Sequence, residues 1–257
     1  MADKNKQISE NPLENLIHAG KVESITLPSG KKVTIREYNG EDEGLISTVK
    51  SLQDNSYLCN FLAAIVQKDS TAKKVSSIDI AEWLSNDRLK ALFNSRILSL
   101  GNIFKFTHIC SNPDCRDCKA GKLVEYEEDL TPYLSGIPDY PNGSNKEVEL
   151  VLSSTKKIKY SLLTSALETT ELETAPEAKN LNTNLITRKL SIFNAGNWVP
   201  LAKFMVFSAK DMAEIRASIR ENDPFWSPTA RITCASCGMK TNIQLLTDGN
   251  FFYPTVI

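Results

Sequence analysis

Five of the chain's six cysteines fall in two patches, THICSNPDCRDC at 107–118 and RITCASCG at 231–238, more than a hundred residues apart. Thiolates at such spacings suit metal binding. In the second patch Cys234 and Cys237 form a C-x2-C pair, which puts both sulfurs on one side of a tight turn, and Gly238 permits the left-handed backbone that aims amides at sulfur. In the first patch Cys110, Cys115 and Cys118 compete for two places. Cys110 ends the strand-like run NIFKFTHIC, as Cys234 ends ARITC. Asn112-Pro113-Asp114 is turn material between Cys110 and Cys115. Cys118 stands as the alternate to Cys115. Loop-closure cost grows only logarithmically with length, so the long separation does not prevent one shared site. Four sulfurs from two facing knuckles make the tetrahedron that structural Zn2+ takes. A closed set of four leaves no open position for chemistry, so such an ion stabilises folding. His108 alternates with Phe104 and Phe106 on one strand face and reads as a packed or exposed side chain. Cys59 lies in an apolar run and reads as a small buried hydrophobe.

These knuckles need strands to deliver them, and the pattern supplies strands and helices in an α+β order. In residues 22–38 Ile25, Leu27, Val33 and Ile35 alternate with polar residues around Pro28-Ser29-Gly30, a hairpin signal. Asn39 then caps a helix with Glu41, Asp42 and Glu43 in its first turn and Leu45, Ile46, Val49 and Leu52 at helical spacing. Residues 57–67 (YLCNFLAAIVQ) read as an apolar core helix. A third helix carries Leu89, Leu92, Phe93, Ile97 and Leu100 and stops at Gly101. GKLVEYEEDL leaves the first knuckle as a strand, 133–147 reads as a loop or linker, and 148–165 reads as a hairpin. The pattern from about 166 to 222 is helical. Its clearest part has Ser208 as cap with Asp211 three residues on, and Met212, Ile215 and Ile219 as the stripe. The last knuckle and TNIQLLTDGNFFYP close the chain as two strands and an aromatic tail. The expected organisation is an N-terminal arm (1–21), a hairpin, core helices and first knuckle (22–118), an α/β insert (119–229), and the second knuckle with its tail (230–257). Split ribbon hairpins thus close around a long mixed insert.

Composition narrows the function. The chain has 257 residues, 41% hydrophobic and 24% charged, with 30 basic and 31 acidic side chains. That balance opposes a nucleic-acid protein working through a broad basic surface. The N-terminus is polar, with no apolar h-region, and no run has the length of a membrane span, so a cytosolic, reducing setting is expected. There thiols favour metal over disulfides. Only His18 and His108 could serve as imidazole bases, neither beside a plausible nucleophile, and the chain carries no phosphate-loop, dinucleotide or nucleophile-elbow motif. The acidic runs NGEDEG and ETTELET (168–174) lack the alternation of a calcium loop and read as a helix start and a solvated face. The chain reads as a non-enzyme. The clusters DPFWSP and NFFYP place Phe225, Trp226, Phe251, Phe252 and Tyr253 either in a core or at an interface.

Several stretches together resemble a known family. ITLPSGKKVTIREYNGEDEGLIS, with Leu27-Pro28-Ser29-Gly30, Val33-Thr34-Ile35-Arg36 and Asp42-Glu43, is similar to the opening hairpin and helix of the baseplate hub proteins of T-even-like contractile-tailed bacteriophages. DRLKALFNSRILSLGNIFKFTHICSNPDC resembles that family's helix, glycine stop and strand into a first knuckle. CASCGMKTNIQLLTDGNFFYP resembles its closing knuckle and aromatic end. The resemblance covers about 22–118 and 230–254, and the middle has no counterpart. It implies a virion structural protein of the tail baseplate, assembled in the host cytoplasm. The protein would link the central spike and tube-initiating hub to surrounding wedge proteins, in several copies around a symmetric hub. It implies no substrate, membrane or nucleic acid. The alternatives are a zinc-ribbon nucleic-acid-binding or transcription-associated factor, and a transient tail assembly chaperone.

Overall fold

The computed structural model describes residues 20–46, 56–68, 73–119, 121, 123–167, 188–201, 204, 206–224, 226–247 and 251–252. Most of the expected N-terminal arm, Val49, Leu52, the acidic run 168–174, Phe225 and Tyr253 lie outside the described residues. The architecture is α+β, built from antiparallel sheets and helices.

Strand β1 (Val22–Thr26) pairs with β2 (Lys32–Arg36) through the turn read at Pro28-Ser29-Gly30. Gly30 sits at φ +80°, a conformation that disfavours side chains with a Cβ. Helix α1 (Gly40–Ile46) starts as its sequence dictates. The Asn39 side-chain oxygen accepts from the amides of Glu41 (2.9 Å) and Asp42 (3.2 Å). Asp42 in turn holds Arg36 at 2.7 Å, and Arg36 also donates to the Ala64 carbonyl, tying hairpin to helices. Helix α2 (Ser56–Ile65) is shorter than its apolar run suggested, because Val66–Lys68 leaves it as strand β3. β3 and β4 (Lys73–Lys74) complete a sheet of order β1-β2-β3-β4. A capping box on Ser76 and Asp79 begins α3 (Ser77–Ala81).

Helix α4 (Ser85–Leu100) is the central strut. The Asn86 side chain donates to the carbonyls of Pro138 (3.2 Å) and Pro224 (3.0 Å), and its amide donates to the Tyr140 hydroxyl. Asp87 accepts the Ser29 amide at 2.9 Å. The stretch 133–147 is therefore no free linker. After α6 (Thr131–Ser135) it buries Ile137 and Tyr140, and the Tyr140 hydroxyl meets this helix start. Beyond Gly101, β5 (Ile103–His108) pairs with β6 (Val124–Asp129), and β11 (Thr229–Thr233) pairs with β12 (Lys240–Gln244). The short helix α5 (Arg116–Lys119) lies between β5 and β6.

A second sheet, ordered β10-β9-β8-β7, contains β7 (Glu147–Val151), β8 (Lys157–Ser161), β9 (Ser191–Asn194) and β10 (Asn197–Pro200). The expectation of helix throughout 166–222 is thus corrected. Residues 191–200 form a hairpin whose turn places Ala195 at φ 47° and Gly196 at φ +88°. Flanking Ile192, Phe193, Trp198 and Val199 are β-formers, and tertiary pairing with β8 secures them. Helix α7 (Ala209–Asn222) follows with the expected Ser208–Asp211 capping box and packs Met212, Ile215 and Ile219 against this sheet's inner residues.

Two hydrophobic cores result among the described residues. The larger joins the first sheet, α2, α4 and both ribbons; the smaller joins the second sheet and α7. The aromatic question resolves toward the core for the described residues. Phe251 and Phe252 are buried, and Trp226 packs partly buried against Phe93. Buried Arg96 donates to the carbonyls of Phe251 (2.7 Å) and Gly101 (2.8 Å), and the Tyr38 hydroxyl donates to that of Phe252. Side chains of Arg96 and Tyr38 thus latch the backbone at Phe251 and Phe252.

Candidate metal centre

The inner faces of both ribbons supply the platform. Phe104, Phe106, Ala230 and Ile232 lie in the larger core, with Phe104 and Phe106 stacked at 5.3 Å. From this platform each ribbon projects a knuckle. β5 ends at His108, two residues before Cys110, so Cys110 stands beyond the strand instead of closing it. The Asn112 side chain accepts the Asp114 amide (3.0 Å) and its carbonyl accepts the Cys115 amide (3.0 Å), which folds the chain back as the Asn-Pro-Asp sequence suggested. Cys115 then leads into α5.

The second knuckle follows β11 directly. The Cys234 amide donates to the Met239 carbonyl (2.9 Å), and the Gly238 amide donates to the Cys234 carbonyl (2.8 Å). Gly238 has φ +71°, the left-handed geometry its identity predicted.

The two knuckles bring four sulfurs together. Cys110 Sγ lies 3.6 Å from Cys237 Sγ, and Cys115 Sγ lies 3.8 Å from Cys234 Sγ. All four sulfurs lie within 4.8 Å of one another. These separations exceed a disulfide bond of about 2.05 Å. They match the edge of about 3.8 Å in a tetrahedron whose centre lies about 2.3 Å from each sulfur. Cys110, Cys115 and Cys234 are buried, and Cys237 forms the exposed corner.

The surroundings of the sulfurs shift two of the thiols in opposite directions. The Met239 amide, with Asn112 behind it, holds the Cys237 thiol down at about 7. The Asn112 amide also favours the Cys110 thiolate, lying 3.5 Å from its sulfur. Burial and the three neighbouring sulfurs outweigh it and push Cys110 up to about 12. Metal ligation requires all four as thiolates, and a divalent ion at their centre would offset their mutual repulsion. The donor set of soft sulfurs fits such an ion, and Cys110, Cys115, Cys234 and Cys237 could hold it.

The remaining predicted residues fall elsewhere. Cys118 lies on α5, and its side chain is outside the described residues. His108 faces inward with Phe104 and Phe106 and stays out of the sulfur cluster; its Nε2 has no hydrogen-bond partner among the described residues. Cys59 is buried in the larger core, outside the sulfur cluster, its sulfur 3.4 Å from the Ser165 hydroxyl. Sequence reasoning missed the buried ion pair of Arg188 with Asp223, whose carboxylate also accepts the Leu163 amide. An Arg and an Asp thirty-five positions apart carry no spacing signal. Among the described residues no helix is long and apolar enough to cross a membrane. No family model matches the chain, and no curated protein or solved structure matches it.

Proposed function

We propose that this protein is a structural component of a contractile phage tail baseplate hub, held rigid by one structural zinc ion on Cys110, Cys115, Cys234 and Cys237. The observation that carries the structural part is the sulfur cluster. It joins two hairpins 119 positions apart, Cys115 to Cys234, directly on the larger core. A closed set of four thiolates has no coordination position for a substrate, so its contribution is to stability. A zinc-stapled scaffold that offers surfaces to neighbours suits a part whose work is to hold others in place.

The virion setting rests on the resemblance of residues 22–118 and 230–254 to baseplate hub proteins. In that setting the protein links the central spike and tube-initiating hub to the surrounding wedges, present in several copies. Quantitative mass spectrometry of purified tails tests this. The chain is expected at a fixed, stoichiometric ratio to the tail-tube protein. Its absence from tails overturns the reading, and substoichiometric amounts assign it to transient assembly instead.

A further inference from the structure

The inner faces of both ribbons pack into one core, which leaves their outer faces exposed, and no ion pair among the described residues joins one outer face to the other. Those outer faces carry opposite charge. On the β5–β6 ribbon the register aligns Ile103 with Asp129, Lys105 with Glu127 and Thr107 with Glu125, and Lys105, Glu125, Glu127 and Asp129 are exposed. Three carboxylates thus face one ammonium. That ammonium reaches Glu127 at 2.7 Å across a contact more than half exposed on both sides, which leaves the face net negative.

The β11–β12 ribbon is the converse. Its outer face holds Thr229, Arg231 and Thr233 beside Lys240, Asn242 and Gln244. No aspartate or glutamate occurs between 226 and 247, and among the described residues neither Arg231 nor Lys240 forms an ion pair. The spacing also matches. Glu125 and Glu127 are two apart on one strand, about 7 Å. Arg231 and Lys240 are diagonal neighbours across the ribbon, about 7–8 Å apart.

We propose that the acidic β5–β6 face docks on the basic β11–β12 face of a second copy of this chain, giving a head-to-tail contact that repeats from copy to copy. Different patches meet at such a contact, so it builds a ring or a filament and not a two-fold dimer. A contact limited by the five-residue strands of the β11–β12 ribbon covers a few hundred Å² at about 3.4 Å per residue, well under the roughly 1,000 Å² of a stable interface. Free in solution the contact is therefore weak and salt-sensitive, and it strengthens where other partners already hold the copies side by side. This contact goes beyond the baseplate reading and stands or falls independently of it.

Charge reversal tests it. The metal-loaded full chain is studied by sedimentation velocity over a concentration series, at about 20 mM and about 0.5 M salt. The wild-type chain is expected to self-associate at low salt and to lose at least tenfold in affinity at high salt. Glu125→Lys/Glu127→Lys and Arg231→Glu/Lys240→Glu should each sediment as monomers. An equimolar mixture of the two variants should associate again, because each reversed face then meets an opposite one. Both doubles alter exposed side chains only, and unchanged thermal melting confirms their folding. A wild-type chain that remains monomeric at low salt, association unaffected by either double, or a mixture that stays monomeric overturns the proposal.

Discussion

Replacing Phe251 by Ala removes a ring of the larger core that meets three other rings. Phe251 is fully buried, with ring centroids 5.2 Å from Phe93, 5.5 Å from Phe104 and 5.1 Å from Phe252. Truncating a buried Phe costs about 3–5 kcal/mol from lost transfer energy and the cavity left behind. Three edge-on or tilted aromatic partners place this site toward the upper half of that range. The cavity would also loosen the segment that presents the Phe251 carbonyl to Arg96, whose buried guanidinium then loses an acceptor at 2.7 Å. About 4 kcal/mol corresponds to a fall in melting temperature of about 10 °C for a chain of this size. Differential scanning calorimetry of the metal-loaded protein reads it, with Phe193→Ala as the comparison. Phe193 is 43% exposed on the outer face of the second sheet and should shift the melt by no more than about 3 °C. Equal shifts for the two variants would refute the claim that the aromatic tail is core.

Three further outcomes follow from particular contacts. Arg188→Met should destabilise the fold by about 3–5 kcal/mol in urea titrations, because it leaves Asp223 buried without its charge partner. Ser208→Ala should cost about 1 kcal/mol, since its hydroxyl accepts the Asp211 amide at 3.1 Å at the start of α7. Lys156, 2.7 Å away, is the largest cause holding the Asp211 carboxyl well below the usual carboxylate range, with Ser154 and Ser208 assisting. The folded chain thus binds fewer protons there than the unfolded one. Its contribution is fully present above the unfolded value of about 3.9 and is lost as pH falls toward the depressed folded value. Asp211→Asn keeps the cap and should flatten that acid limb in stability measured from pH 5 to pH 2,.

The parts legible in the sequence were those whose signal is local. The Pro28-Ser29-Gly30 turn, the Asn39 cap, the Ser208–Asp211 box and the Gly238 knuckle each declare themselves within a few residues, and the structure shows all four. The four sulfurs that come together were named because cysteine pairs at turn spacing constrain chemistry even when their partners are distant. The hairpin at 191–200 was missed inside a stretch read as helical. Its Asn-Ala-Gly-Asn turn was a usable signal, but its strands are four residues long and depend on pairing with β8. The short β3 and β4 escaped for the same reason: β2 makes them strands, and two or three residues carry no period. The 133–147 stretch has the composition of a linker. Ile137 and Tyr140 are nevertheless buried, and Tyr140 is held by the Asn86 backbone amide and packs in one cluster with Leu84.

Cys110, Cys115, Cys234 and Cys237 are proposed to close around one metal ion that holds the two ribbons together. The most direct measurement is the zinc content and melting temperature of the purified chain and of its cysteine variants. About one zinc per chain is expected. Cys115→Ser and Cys234→Ser should each lose the metal and melt well below the wild-type chain, while Cys118→Ser should retain both metal and melting temperature. A cooperatively folded wild-type chain without bound metal, or one whose zinc depends on Cys118 and not on Cys115, would contradict it.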